Sequence, residues 1–512
     1  MSVNQENLFD PIPRHRLESL TKGELIEFHE CHQRVIESFQ RHIQKLEALN
    51  AETKQRSLLV EDQFIVLKNK IFGRSSEKSK SSDGGGTPSK KKASKSRVLL
   101  ASERYPNATL IERQVELEKM PTCGCCFAEM QDSGMTENSE FLTVIPEQYL
   151  VIRQMRHKYR CGKCHGDIKT APAPPRIKDG SSYSDEMMID VGLSKYCDLI
   201  PVERYAQIAK RAGLKGLPPQ SLIEMTHNLA DFTKSAYEKL KTEIQKSSVL
   251  NADETPHRML EGSSRRNWYL WGFSTPRTSY FEIHDTRSGR VASSLLVNSA
   301  CEFLVSDVFS GYGKAVRDIN LLREVDRRAK IKNVYCNAHA RRKFKEALDR
   351  FPDYAQFFID QYKEIYRLEA EARGRPIDEV FDLRGQMKTF FDKLKSKAMA
   401  DVAGYSSKSS IGKAMSYFLE NFVGLTLFLE NPNLPIDNNS QERLLRSPVI
   451  GRKTWYGTHS ERGAETAAVL FSLVESCKLN RVNPREYFKK LVQDLHDKKS
   501  PRTPSEFKDL PI

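Results

Sequence analysis

The spacing of apolar positions divides the chain into blocks. From about Leu17 to Phe72 apolar residues recur at helical spacing, and glycine and proline are nearly absent after Gly23. Phe28, His32, Val35, Phe39, His42, Leu46, Leu49 and Thr53 follow the steps of a heptad seam. Residues 17–73 therefore read as a long helix, either one strand of a dimerising coiled coil or a helix packed on its own protein. Residues 74–97 lose the pattern. Rich in Ser, Gly and Lys, they cannot bury enough surface to order, and they read as a disordered basic linker.

Between residues 98 and 175 the period shortens. Tyr149, Val151, Arg153, Met155 and His157 alternate with their neighbours, as a strand does. Cys123-x-x-Cys126 and Cys161-x-x-Cys164 flank this stretch, and two such knuckles can supply four thiolates to one tetrahedral zinc. The block reads as a zinc ribbon, with buried or redox-active thiols as the alternative. Cys125 leaves the first knuckle ambiguous. Residues 171–175, Ala-Pro-Ala-Pro-Pro, form a stiff connector. Residues 176–246 return to helical spacing. Pro201 to Ala212 and Pro219 to Phe232 give two helices around a glycine-bounded turn, a helix-turn-helix or a purely structural hairpin.

Residues 247–350 mix both periods. Val249-Leu250-Asn251-Ala252-Asp253 reads as a short buried strand ending in an acid, with Thr255-Pro256 stopping it. Asn267 to Phe273 and Thr278 to Ile283 are two more strands, and Ser288 to Leu296 is a helix. Cys301 to Val308 carries Asp307 near its end. Val334 to Cys336 is another strand, and Asn337-Ala338-His339-Ala340-Arg341-Arg342 opens a basic helix. Three antiparallel strands followed by helix, strand, helix and strand match a ribonuclease-H-like α/β fold, in which the first and fourth strands are neighbours. Residues 351–430 read as a helical insertion. Residues 431–495 complete the core, with Ala464 to Leu479 as its closing helix, and 496–512 form a C-terminal tail.

Composition narrows the function. The 512-residue chain carries a formal net charge of +14, so nucleic acid is the expected partner. No apolar run reaches transmembrane length and the first residues lack a signal-peptide core, so neither membrane nor export is expected. Ten cysteines without such a signal point to metal and buried thiols, not disulfides.

Asp253 and Asp307 end neighbouring strands, and Glu442 lies in Asp437-Asn438-Asn439-Ser440-Gln441-Glu442-Arg443, four residues after Asn438. Asp437 and Glu254 compete with Glu442 for the third place. Three carboxylates on separate elements repel one another unless cations neutralise them. Hard oxygen ligands suit Mg²⁺ or Mn²⁺, two per site, for in-line phosphoryl transfer. Arg341, Arg342, Arg443, Arg446, Arg452 and Lys453, with Trp455 and Tyr456 among them, suit a bound DNA end.

Together these stretches resemble the transposases of the insertion sequence sixty-six family. The resemblance spans nearly the whole chain. It rests on Phe72-Gly73-Arg74-Ser75-Ser76-Glu77-Lys78, the cysteine knuckles, Lys195-Tyr196 and Leu199 to Arg204. It continues through Ala252-Asp253-Glu254-Thr255-Pro256, Val305-Ser306-Asp307 with Gly311-Tyr312, and Cys336 to Phe344. Asp437-Asn438-Asn439, Glu442-Arg443 and Gly451-Arg452-Lys453 close it. The resemblance implies a DDE transposase in which Asp253, Asp307 and Glu442 hold two metals and Cys123, Cys126, Cys161 and Cys164 hold structural Zn²⁺. Such enzymes cut a bacterial element at its terminal inverted repeats and join the 3′ ends to target DNA. The implied setting is the bacterial cytoplasm and nucleoid, as a homodimer or higher oligomer, with accessory proteins of the same element as further partners. Thr122 and Cys125 depart from the family's first knuckle and leave the zinc ligands open. His339 matches a family motif, as a phosphate contact near the site or as packing at a strand–helix junction. The second reading is a DNA-binding regulator that pairs ends without cutting.

Overall fold

The computed structural model describes residues 21–47 with short gaps, stretches of 100–160, and 168–260 and 267–507 without a break. Two compact units emerge. The larger contains residues 173–205 and those from 218 onward, and the smaller contains the described residues between 75 and 172 together with 206–217.

In the smaller unit a three-residue hairpin pairs β1 (Lys158–Arg160) antiparallel with β2 (Ile168–Thr170), Tyr159 opposite Lys169. The alternating stretch 149–157, expected to be a strand, lies outside any ladder. Its side chains from Leu150 to His157 are exposed, Val151 at 99%, so the alternation there has no buried face to select it. At the first knuckle, the Cys123 N–H donates to the Ala128 carbonyl and the Phe127 N–H to the Cys123 carbonyl, at 2.8 and 3.0 Å. Cys161 and Cys164 lie outside the described residues.

The larger unit is mixed α/β and mostly helical, around one mixed sheet. It opens with α1 (Asp185–Tyr196), whose first turn is capped by Ser184, the hydroxyl accepting from the Met187 N–H at 3.2 Å. Next in the chain come α2 (Val202–Arg211), whose residues from Ala206 on fall in the smaller unit, and α3 (Pro219–Lys246). Gly213 and Gly216, between them in sequence, both have positive φ, as the expected break requires. The second helix of the expected pair does not stop at Phe232. It runs on to Lys246 because Leu229, Ala236, Leu240 and Ile244 keep burying one side of it.

The sheet consists of β3 (Val249–Arg258), β4 (Asn267–Ser274), β5 (Ser279–His284), β6 (Phe303–Ser306) and β7 (Lys332–Tyr335), in the order β5-β4-β3-β6-β7. The first three are antiparallel, and β6 and β7 join in parallel, with Asn251 opposite Val305. Helix α4 (Arg290–Leu296) leads into β6, α5 (Ser310–Val325) leads from β6 to β7, and α6 (Asn337–Ala347) follows β7. One boundary differs from expectation. Thr255-Pro256 does not stop β3, which continues to Arg258 against β4. Pairing with β6 ends at Asn251, so from there β3 has a neighbour on one side only, and proline is tolerated on such an edge.

Residues 351–430 form α7 (Pro352–Ala372), α8 (Ile377–Asp401), α9 (Ser410–Glu420) and the short α10 (Phe422–Thr426). Phe344, Phe358, Phe391 and Phe418 pack there with Val305 and Val334 of the sheet in one continuous core. The chain returns through α11 (Asn439–Leu444), α12 (Arg446–Trp455), α13 (Glu461–Leu479) and α14 (Pro484–His496). Nearly every position of α13 from Ala464 to Cys477 is buried. Its Ser472 and Ser476 hydroxyls accept the Phe281 and Ser279 N–H groups of β5 at 2.8 and 2.9 Å. The outer edge of the sheet is thereby satisfied by a helix instead of a further strand.

The segment that delivers α11 is held by Arg384 of α8. Its buried guanidinium pairs with Glu369 at 2.9 Å and donates to the Phe428, Asn431 and Leu434 carbonyls. Replacing it strands a half-buried carboxylate and three carbonyls. Arg384→Met should cost about 3–5 kcal/mol, the range for breaking a buried ion pair, read as a lowered urea midpoint. An unchanged midpoint would contradict this role.

Candidate active site

Asp253 and Asp307 each lie two residues beyond a paired position, Asn251 and Val305, of adjacent parallel strands. Side chains two residues apart project from the same face. The two carboxylates therefore leave the sheet side by side, where β6 ends and β3 continues. The Asp307 carboxylate accepts the Phe309 N–H at 3.0 Å, and that of Asp253 accepts the Glu254 N–H at 2.9 Å.

Glu442 reaches them from α11, and Asn438 places that helix. The Asn438 amide donates to the Ala252 carbonyl at 2.8 Å and accepts from the Asn251 amide at 2.9 Å. Its backbone N–H donates to the Cys336 Sγ at 3.2 Å, and its carbonyl accepts the Glu442 N–H at 3.1 Å. One buried asparagine thus ties the start of α11 to β3, beside Asp253, and to the end of β7. Gly272 makes room for the next turn. It faces Asp253 across the ladder, and a Cβ there would lie 2.2 Å from the Gln441 side-chain nitrogen.

The electrostatics record the convergence. The Asp253 carboxyl is pushed up to about 8, first by burial, then by the negative charges of Glu254, Asp307 and Glu442. Acids distant in sequence are close enough to oppose one another's ionisation. The two competing acids have other work. Glu254 is buried and accepts both an Arg287 pair, at 2.6 and 2.9 Å, and the Tyr312 hydroxyl at 2.7 Å. Burial pushes its carboxyl up, and the Tyr312 and Arg287 hydrogen bonds pull it back. Asp437 accepts from the Asn439 backbone and side chain and from the Tyr366 hydroxyl. Glu442 by contrast keeps a buried Oε1 without a hydrogen-bond partner, as does His339 at Nδ1, 3.7 Å away.

The basic residues singled out in the sequence surround these acids in the chain. Arg341 lies over the Tyr366 ring, 5.7 Å from its centre. Arg342 is half-buried, and Arg443, Arg446 and Lys453 are exposed. Arg452 is half-buried and held below its usual range by burial and by Arg258. It also helps burial hold His257 at about 4. Arg258 and Arg287 were not singled out from sequence, and Tyr312 only as part of the Gly311-Tyr312 motif of the family resemblance. Arg258 ends the very strand that was expected to stop at Pro256, and a continued ladder is the signal that would have found it.

In the smaller unit the Cys125 N–H points at the Cys123 Sγ at 3.5 Å, and such backbone hydrogen bonds pull the Cys123 thiol below its usual range.

Two outcomes follow for the larger unit. Gly272→Ala should cost about 1–3 kcal/mol, the range for an overfilled core, because Gln441 and α11 must shift; an unaltered melting temperature would contradict the close approach. The second concerns pH. In the folded protein Asp253 holds a proton that the unfolded chain loses near 3.8, so its contribution to stability is present below about 4 and is lost as pH rises through about 8. A divalent cation bound by the ionised acids would reverse this loss. Mg²⁺ at 100 times its Kd should add about 2.7 kcal/mol above pH 8 and much less near pH 5, with both effects lost in Asp253→Asn. A Mg²⁺ shift independent of pH in thermal melts would contradict it.

Comparison with known proteins agrees in extent with this core. A profile described as Transposase IS66 family matches residues 180–466, more than half of the chain. The uncharacterized protein y4jD of Sinorhizobium fredii is 28% identical over 389 residues, covering 73% of this chain and 74% of the relative. The uncharacterized protein y4hP of the same organism is 24% identical over 419 residues, covering 77% and 74%. The matched span runs from α1 into α13 and includes all three acids, and the chain belongs to the IS66 family of transposases.

Proposed function

We propose that this transposase cuts DNA at the terminal inverted repeats of an insertion sequence and joins the freed 3′ ends to target DNA, using Asp253, Asp307 and Glu442. The observation that carries this reading is geometric: Asp253 and Asp307 leave adjacent parallel strands, and Asn438 ties the helix bearing Glu442 to β3 beside Asp253. The strand order and the parallel β3–β6 pair support a ribonuclease-H-like core.

The donor set suits hard cations: three carboxylates from separate elements, one with an unpaired buried oxygen. Two Mg²⁺ or Mn²⁺ ions held by these acids would supply an activated water or 3′-hydroxyl and stabilise the leaving oxygen of an in-line phosphoryl transfer. The chain's own residues set the conditions. Arg287 pairs with Glu254 and Tyr312 hydrogen-bonds it, so Glu254 is engaged elsewhere and Asp253 is left to face the ions. Asn438 fixes the height of Glu442. Arg341, Arg342, Arg443, Arg446, Arg452 and Lys453 neutralise the phosphate backbone, and Arg258 joins them. Arg258 and Arg452 repel each other, and a phosphate placed between them would relieve that repulsion.

Structural Zn²⁺ at Cys123, Cys126, Cys161 and Cys164 would order the smaller unit. The Cys123 knuckle supports this reading. Exposed Leu25, Ile36, Ile43 and Leu46 on the described part of the N-terminal helix support a paired helix and so a homodimer or higher oligomer. Among the described residues no helix is long and apolar enough to cross a membrane. DNA as substrate places the protein at the nucleoid of a bacterial cytoplasm, with accessory proteins of the element as further partners.

Purified protein with Mg²⁺ and a labelled element-end duplex tests the reading. The wild type should nick to a 3′-hydroxyl and join it to target DNA. Asp307→Asn should bind the duplex with near-equal affinity and lose at least about 10³-fold in nicking, about 4 kcal/mol of transition-state stabilisation. Equal cutting by both proteins would place the chemistry elsewhere. Binding without cutting by the wild type would favour an end-pairing regulator.

A further inference from the structure

At the edge of the acidic site lies a second donor set of a different kind. Cys336 follows β7, His339 stands in the first turn of α6, and Glu442 comes from α11. One ligand atom of each lies within 4.8 Å of the other two. His339 Nδ1 and Glu442 Oε1 face each other at 3.7 Å, both buried and both without a hydrogen-bond partner. That separation is too long for a hydrogen bond, and unmet buried polar atoms cost free energy. The Cys336 Sγ already accepts the Asn438 N–H at 3.2 Å, the kind of backbone donor that steadies a metal-bound thiolate.

We propose that Cys336, His339 and Glu442 form a site for a thiophilic divalent cation, of which Zn²⁺ is the type, and that this site shares Glu442 with the three acids. Sulfur, imidazole nitrogen and one carboxylate oxygen favour zinc over magnesium, and three protein ligands leave a fourth position open. Binding releases the Cys336 thiol proton. It also draws the Glu442 carboxylate toward Cys336 and His339. Zinc therefore competes with the hard ions for Glu442 and inhibits cleavage. This consequence rests on the reading that Glu442 completes the acidic site, whereas the binding itself does not.

The test uses the full chain, loaded with zinc, stripped of zinc at three-ligand sites by a chelator that leaves four-thiolate sites filled, then titrated with Co²⁺. Wild type, Cys336→Ser and His339→Gln are compared, because Cys123, Cys125 and Cys126 also offer thiols. The wild type should take up one more equivalent of cobalt than Cys336→Ser, with a sulfur-to-cobalt charge-transfer band that this variant lacks. His339→Gln should keep the band and bind at least about tenfold more weakly. If Cys336→Ser does not fold, His339→Gln carries the comparison. In a second arm, zinc is added to Mg²⁺-supported nicking of the element-end duplex, each protein read against its own zinc-free rate. Half-inhibition should need at least about tenfold more zinc in Cys336→Ser. Equal cobalt uptake and equal spectra in folded wild type and variants overturn the site. A difference in cobalt uptake with equal zinc inhibition overturns the sharing of Glu442. If no protein nicks even without zinc, the cleavage reading fails, and the cobalt arm still decides whether the site exists.

Discussion

Asn438 makes the hydrogen bonds on which the site's geometry depends. It joins Ala252 and Asn251 of the central strand to the sulfur of Cys336 and to the first turn of α11. Asp253 is one residue from Ala252, His339 is three from Cys336, and Glu442 is four from Asn438. A single buried residue therefore sets the relative positions of three elements, its side chain holding β3 and its backbone holding Cys336 and α11. Such a group is worth little as one more hydrogen bond, about 1 kcal/mol, but every partner is buried and would be left unpaired without it. The long excursion from β7 through α10 can vary in its own packing without moving Glu442, because the return is fixed at Asn438 and held from behind by Arg384.

Charge is the second constraint. Four carboxylates, Asp253, Glu254, Asp307 and Glu442, act on one small volume. The protein gives one of them, Glu254, a cationic partner in Arg287 and a hydrogen bond from Tyr312, and leaves the others without a cation of their own. Arg287 in turn lies over the Phe309 ring, 4.1 Å from its centre, so the compensating cation is held by stacking as well as by its ion pair. The difference between Glu254 and its neighbour Asp253 is one of partners, not of residue type. Satisfied groups stabilise the fold, and unsatisfied ones carry a cost that only a ligand or reaction recovers.

The strands carrying Asp253 and Asp307 were legible because a buried strand leaves a short apolar run, and an acid at its end breaks that run visibly. Their parallel pairing followed from the order of elements. The continuation of β3 through Pro256 was not legible, since whether proline breaks a strand depends on which edge is paired, and pairing is not local. The partners of the competing acids were closed to sequence, although the family resemblance already pointed to Glu442. Tyr366, Arg287 and Tyr312 lie 33 to 71 positions from the acids they engage. The pairing of Cys336 with Glu442 across the helices between them leaves no periodic trace at all. The alternation at 149–157 misled for the converse reason, a pattern with no buried face behind it.

The convergence of the three acids on one cation is tested most directly by replacing Mg²⁺ with Fe²⁺ and mapping where the bound iron cuts the polypeptide in the presence of ascorbate and peroxide. Hydroxyl radicals cleave only backbone close to the ion. Cuts confined to the neighbourhoods of Asp253, Asp307 and Glu442, suppressed by excess Mg²⁺ and lost in Asp253→Asn, are the expected result. Cuts near only one of these positions, or a pattern that Asp253→Asn leaves unchanged, would mean that the three carboxylates do not hold a common ion.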